Sequence, residues 1–304
     1  MDYMEQKYLK AMMFGSALGD GWLSESYVEK TKFYQFGFSG DKLSMERLKQ
    51  DLIDIYGDIG KATIRTEEMH SEKYHITGIT SQFVCNQKVA NDFVKMGLPI
   101  GKRVEKEWHI PKWILNGSKK IKIAFLSGWY AAEGYTPAMQ KNDITLKVLG
   151  FNFYKRKYQL ENQIALKSEF SKILNDLEIE FVIEEKEKFT CDWNIVTSFV
   201  IKNNHNNLIH TMGLLDLRYC IHKDNEFKIA LKYYLLKEQT LKEVNEALNL
   251  MNNSTYSYRE ISEIYGLNLN TLRGWKRRNV HEAKLPNTFI KYTQFKNNMS
   301  PLRE

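Results

Sequence analysis

Most of this chain alternates or spirals between apolar and polar positions, but two short stretches are apolar and small all the way round. Met13-Phe14-Gly15-Ser16-Ala17-Leu18-Gly19-Asp20-Gly21 is one, and Leu126-Ser127-Gly128-Trp129-Tyr130-Ala131-Ala132-Glu133-Gly134 is the other. Both read as buried helices that end in one carboxylate and one glycine. Small residues recur four positions apart, Gly15 with Gly19 and Gly128 with Ala132, and residues so spaced share a helix face. Two flat faces of this kind pack backbone to backbone. If they do, Asp20 and Glu133, 113 positions apart, emerge together at one end. Taken singly, each stretch is an ordinary buried helix with a glycine cap; the second copy in the same register is what changes the reading.

Around these helices the pattern repeats. Residues 3–20 predict a helix stopped by Gly21. Lys30–Ser39 alternates, with Tyr34, Phe36 and Phe38 facing a core. Asp41 caps a helix to Tyr56, and Gly57 and Gly60 close it. Lys61–Glu67 and Lys73–Gln82 predict a strand pair with a turn near Met69–Glu72, and Asn86–Met96 a short helix. Trp108–Gly117 reads as a linker. Lys119–Glu133 is then a helix, Asp143–Val148 a strand with Asp143, Thr145 and Lys147 outward, and Lys155-Arg156-Lys157 a basic segment. Gln163–Leu177 is helical, Glu180–Glu185 and Asp192–Lys202 are strands about an acidic turn at Glu184–Lys188, and Asn206–Leu215 is helical. Each half reads helix, two strands, helix, strand pair, helix, which predicts an internal duplication in an α+β fold.

The last quarter differs. Asn225–Met251 is one long helical pattern, followed by a polar break at Asn252–Thr255. Ser262, Gly266 and the pair Leu272 and Trp275 then fall at helix-turn-helix spacing over residues 257–278. The second helix exposes Asn270, Thr271, Arg273, Lys276 and Arg277, side chains suited to base edges and phosphates. An ordinary helical hairpin with a solvated basic face is the plainer alternative.

Charge agrees with a polyanionic partner. The 304 residues carry a formal +7. Residues 225–304 hold 13 Lys and Arg against 8 Asp and Glu, a balance of +5, and no Asp. Apolar residues make up 43%, the composition of a globular chain. No run approaches the length of a membrane span, and the N-terminus lacks signal-peptide features, so cytoplasm is the expectation. Cys85, Cys191 and Cys220 are scattered without a CxxC, which argues against a disulfide framework or zinc site. The histidines (70, 75, 109, 205, 210, 222 and 281) form no HxxxH pair, and Asn203–Asn207 reads as a polar loop at a helix start.

Two carboxylates forced together at helix C-termini repel each other and the macrodipole. A hard divalent cation resolves that conflict and brings metal-assisted phosphoryl chemistry.

The paired stretches resemble those of the LAGLIDADG homing endonucleases in the form with both motifs on one chain, over residues 5–224. Gly97-Leu98-Pro99, Lys102 and Ile110-Pro111-Lys112-Trp113-Ile114 are similar to the family's connector. Leu18 and Ala131 stand where the family name has Asp, and the second acid is Glu. The resemblance implies two pseudo-symmetric αββαββα half-domains, at 1–115 and 116–224, whose sheets form a saddle on duplex DNA, with the helical segment 225–304 after them. It implies a monomer that cuts a long double-stranded site with Mg²⁺ or Mn²⁺. Asp20 and Glu133 carry over as the metal-holding acids, and Lys102 and Lys223 as basic catalytic partners. Phe33, Gln35, Arg65, Thr77, Thr145 and Lys147, with Lys155, Arg156 and Lys157, are the expected DNA contacts outside the last quarter. The ends lack intein splicing residues, so a free-standing or intron-encoded enzyme is expected. A non-catalytic DNA-binding regulator and an intron maturase are the other readings of the same resemblance.

Overall fold

The computed structural model describes residues 2–71, 76–188, 194–253, 255–278, 280 and 284–299. It divides into two compact units. The first comprises Met1–Ala138 and Lys147–Phe227, and the second Met139–Leu146 and Lys228–Glu304.

The first unit holds two similar halves. In the first half, α1 (Tyr3–Gly19) leads into β1 (Gly21–Val28) and β2 (Thr31–Gly40), then α2 (Lys42–Tyr56), β3 (Arg65–Ser71), β4 (Ile76–Cys85) and α3 (Gln87–Met96). Local chemistry sets these boundaries. The Asp2, Asp41 and Asn86 side chains each accept a backbone N–H in the first turn of the helix that follows. Gly97 ends α3 at φ +102°, a left-handed conformation that glycine adopts without strain. The sheet order is β1-β2-β4-β3, antiparallel throughout. Its core face sends Phe36, Phe38 and Phe83 against Phe93 of α3, all 0–1% exposed. Each ring so buried is worth about 2–3 kcal/mol in transfer from water.

The second half follows the short α4 (Lys112–Leu115). It contains α5 (Lys119–Glu133), β5 (Ala138–Met139), β6 (Leu146–Val148), β7 (Gly150–Arg156), α6 (Leu160–Asp176), β8 (Phe181–Lys188), β9 (Asn194–Ile201) and α7 (His205–Leu214). Its sheet order is β7-β9-β8. Trp129, Phe151, Phe170 and Phe199 form its aromatic core. The duplication is visible in register. Gly21 pairs with Phe38 at the start of the first sheet, and Gly134 bridges Phe151 in the second, again 113 positions on.

There the symmetry breaks. In the first half β1 continues along β2 for eight residues. In the second half the chain leaves the sheet after that single bridge. Residues 139–146 join the second unit, which also contains the body of α8 (Ile221–Asn253), α9 (Tyr258–Tyr265), α10 (Leu269–Arg277) and α11 (Tyr292–Asn298). Within that unit Asp143 caps α11: its carboxylate accepts from the Thr293 N–H and hydroxyl, at 3.0 Å each. The Tyr234 hydroxyl accepts the Leu146 N–H at 2.9 Å. Val244, Leu248, Ile261, Leu267, Leu272 and Trp275 form a separate apolar core.

Several expected strands move. β3 starts four residues later than the alternation suggests, because Ile59 and Ala62 are buried in a loop before the sheet begins, and it runs through Met69–Ser71, where a turn was expected; the expected start of the second strand at Lys73 lies outside the described residues. Glu184–Lys188 is strand, not turn; as the outer strand β8 tolerates charge on both faces. Asp143–Thr145 is turn, not strand, with Asp143 at φ +56°. The basic segment at 155–157 begins as the end of β7, a strand the sequence pattern did not predict.

Candidate active site

The packing of α1 on α5 builds the site. Gly15, Gly19 and Gly128 leave no room for a side chain. A Cβ on Gly15 would lie 2.2 Å from the Phe125 carbonyl oxygen, and one on Gly19 would lie 2.1 Å from the Ala132 Cβ. The same imaginary atom on Gly19 is 3.3 Å from the Glu133 Cγ, so Glu133 stands beside the end of α1 that carries Asp20. Asp20 keeps an exposed face, but crowding by protein around its carboxyl raises its pKa, opposed by Lys223 and Arg103. Burial raises Glu133 to about 7, and the Asp20 charge adds to the effect. Among the described residues neither carboxylate has a hydrogen-bond or ion-pair partner.

The positive charge nearby is spent on backbone. Arg103 donates to the Ala17 carbonyl and, at 2.6 Å, to the Gly19 carbonyl at the end of α1. Lys223 donates to the Ala131 and Ala132 carbonyls at the end of α5, at 2.9 Å each. Each half therefore ends its motif helix on a cation that satisfies the last carbonyls and offsets the negative helix end. These two cations also oppose the carboxylate repulsion without occupying the carboxylate oxygens.

Lys102 is not one of them. Its side chain is 77% exposed and lies 3.7 Å from Glu105. The residue that mirrors Lys223 is its neighbour Arg103, which the sequence reading passed over. Lys155 explains the difference. Expected as a DNA contact, it is 0% exposed, and its ammonium donates to the Arg103 and Lys106 carbonyls at 2.9 and 2.5 Å. The Arg156 N–H donates to the Val104 carbonyl, and its guanidinium lies 3.2 Å from Glu105. Together they strap the 103–106 loop to β7 and turn Arg103 toward α1. Burial pulls Lys155 down to about 8.

The remaining expected contacts scatter. Gln35 and Arg65 are exposed and Phe33 is half-buried on the sheet face away from the core. Trp22, unmarked by any pattern in the sequence, covers Gly37 on that face; a Cβ there would lie 2.8 Å from the indole. Trp22, Lys61, Arg65, Gln82 and Val84 line one concave surface. Thr77 lies on β4 opposite His70, and its side chain is outside the described residues. Thr145 is tied into its turn by the Asn142 side chain, so it is not on a sheet face. Lys147 and Lys157 are exposed. On β7 the outward positions missed from sequence are Asn152 and Tyr154. Asn204 caps α7, which accounts for the polar run around His205. Asn270, Arg273, Lys276 and Arg277 are exposed and Thr271 half-buried on α10 of the second unit.

The donor set fits a hard cation: two adjacent carboxylates, raised in pKa and unpaired, are short of positive charge at their own oxygens. Among the described residues no group of three or more His, Cys, Asp or Glu is placed to hold a metal. Asp20 and Glu133 would therefore share such an ion with water, backbone or substrate oxygens. No helix among the described residues is long and apolar enough to cross a membrane.

No family model matches the chain. It is 25% identical over 300 residues to the replication factor C small subunit of Methanocaldococcus jannaschii, covering 96% of this chain and 15% of that protein. It is 28% identical over 244 residues to the tRNA-splicing ligase RtcB of Pyrococcus abyssi, covering 78% of this chain and 25% of that one. The chain thus spans a quarter or less of these relatives. Among solved structures it is similar to mesophilic variants of the homing endonuclease I-DmoI, with a TM-score of 0.44 and 20% identity over 70% of this chain and 98% of that one. Other structural neighbours are LAGLIDADG homing endonucleases, I-AabMI and I-SmaMI among them.

Proposed function

We propose that this chain is a site-specific endonuclease that cuts both strands of duplex DNA, with Asp20 and Glu133 holding the divalent metal it requires. One observation carries the reading. Two helices in backbone contact bring an aspartate and a glutamate side by side, while the cations next to them are engaged by carbonyls and leave the acids available.

A bound divalent ion would supply electrostatic stabilisation to the phosphate undergoing displacement. The chain's own groups do the rest. Asp20 and Glu133 hold negative charge at one end of the interface. Arg103 and Lys223 keep the site from becoming so anionic that a phosphate is repelled. Trp22, Gln35, Arg65 and Gln82 offer the first sheet's outer face to a groove, where Gln and Arg pair with base edges. The duplicated halves supply one acid each, the symmetry that two antiparallel strands demand. The two relatives' names describe unlike activities, and the chain matches only a short part of each; both facts favour a segment common to them over either whole activity.

The test is incubation of the purified chain with a randomised plasmid library and Mg²⁺ or Mn²⁺, with the double-strand ends mapped by sequencing. A recurrent cut at one long site is expected, lost with EDTA and lost in Asp20→Asn and Glu133→Gln. DNA binding without a cut at any metal concentration would replace the nuclease with a non-catalytic DNA-binding regulator.

A further inference from the structure

The outward face of α10 holds a glycine that the protein itself does not need. Leu272 and Trp275 are buried in the second unit's core. At 100° per residue, Asn270 and Arg277 lie directly opposite them, with Arg273 and Gly274 about 50° to either side. Gly274 therefore sits mid-helix on the outward half of α10, half-buried beside the exposed Asn270 and Arg277. A Cβ built on it meets only the tip of the Arg278 guanidinium, at 3.6 Å, among the described residues. The contrast is with Gly15 and Gly128, where backbone fills the space. Glycine is the poorest helix former after proline, so a helix interior that could hold alanine and does not has forgone stability. An isolated glycine inside a helix that internal packing does not require points to a functional reason for keeping it.

The charges around it say what approaches. Residues 269–278 contain Arg273, Lys276, Arg277 and Arg278 and no Asp or Glu. Arg273, Lys276 and Arg277 have no carboxylate partner among the described residues. The preceding helix α9 is different: its Arg259 pairs with Glu263 at 3.1 Å, and Glu260 closes a capping box on Ser257. Of these two helices, α10 is the one whose charges suit a polyanion. Gly266, at φ +62°, makes the turn between the two helices, and the Ser262 hydroxyl fixes it by donating to the Leu267 carbonyl at 2.6 Å. A helix about 10–12 Å across fits a B-form major groove about 12 Å wide, whereas the major groove of A-form RNA is too deep and narrow to admit one.

We infer that α10 is a second duplex-DNA docking surface, separate from the carboxylate site, and that Gly274 is kept bare so that the duplex can come against the helix backbone beside Arg277. This does not rest on cleavage and is tested without it. The full chain is titrated in EDTA against a fluorescent 40-base-pair mixed-sequence duplex over a range of salt, and each variant is also melted by circular dichroism. Arg273→Ala with Arg277→Ala should weaken binding about tenfold and flatten the log–log salt slope by about 2, the value for two lost phosphate contacts. Gly274→Leu should weaken binding comparably while melting at or above the wild-type temperature. Unchanged affinity in either variant overturns the proposal. So does a duplex RNA of the same sequence that competes as well as the DNA.

Discussion

Gly128 and Met12 meet backbone to backbone: a Cβ on Gly128 would lie 1.8 Å from the Met12 carbonyl oxygen. No rotamer relieves such a clash, because the obstructing atom is main chain. Gly128→Ala must part the two helices along the line where most of the first unit's burial converges. A loss of about 3 kcal/mol or more is expected in denaturant unfolding, at or beyond the upper end of what core overpacking usually costs. A loss below about 1 kcal/mol would contradict the close approach.

Glu133 gives the protein a pH-dependent weakness that metal should repair. Its folded pKa, about 7, lies above the ordinary 4.5. Between these values the folded chain binds more protons than the unfolded chain, so stability falls as pH rises and the loss is complete above 7. Glu133→Gln, measured in EDTA, should therefore melt higher than wild type at pH 8 and level with it at pH 4.5. Excess divalent metal should narrow the pH 8 gap, since a ligand of the folded state stabilises by mass action. The same difference at both pH values would exclude the carboxyl as its source.

Arg103 acts on the acids through space. Arg103→Ala removes a positive charge that favours their ionised forms, so their pKa values should rise further. The midpoint pH for metal-dependent stabilisation should move up, and Arg103→Lys should restore part of it. Lys102→Ala should leave it where it is. Equal behaviour of Arg103→Ala and Lys102→Ala would remove Arg103 from the site.

Lys155 separates two readings of one basic residue. As a phosphate contact, its loss would lower the salt dependence of DNA binding by about one counterion. As the strap on the 103–106 loop, its replacement by Met leaves two buried carbonyls short of a donor, at a cost of about 1–3 kcal/mol. The expected result for Lys155→Met is lower stability with an unchanged salt slope.

A chain ended at residue 224 should fare worse than one ended at 253. The shorter chain loses Phe227, whose ring lies 5.2 Å from Tyr130 in the first unit. It also loses Tyr234 and Lys237, which hold the Leu146 N–H and the Ile144 carbonyl. The longer chain keeps all three. Thermal melts of both should show the greater drop in the shorter one.

The elements that could be read from sequence are those whose causes are local. Asp41, Asn86 and Gly97 announce the ends of α2 and α3 because capping operates within three residues of the cap. The helices α1 and α5 announce themselves because one pattern of small residues occurs twice. β7 hid because a lysine occupies its third inward position after Phe151 and Phe153, and an inward lysine makes sense only once the 103–106 loop lies across it. The same strap decides between Lys102 and Arg103, so no reading of that loop alone could have chosen. Asp143 hid for the same kind of reason: its partner Thr293 is 150 residues away.

That last contact has a bearing on how such a protein can be taken apart. Residues 139–146 are a loan from the middle of the chain to its end, so the boundary between the units crosses the sequence three times rather than once. Anyone transplanting the terminal helices onto another scaffold must bring this eight-residue insert with them, or supply α11 with a substitute for the aspartate that starts it.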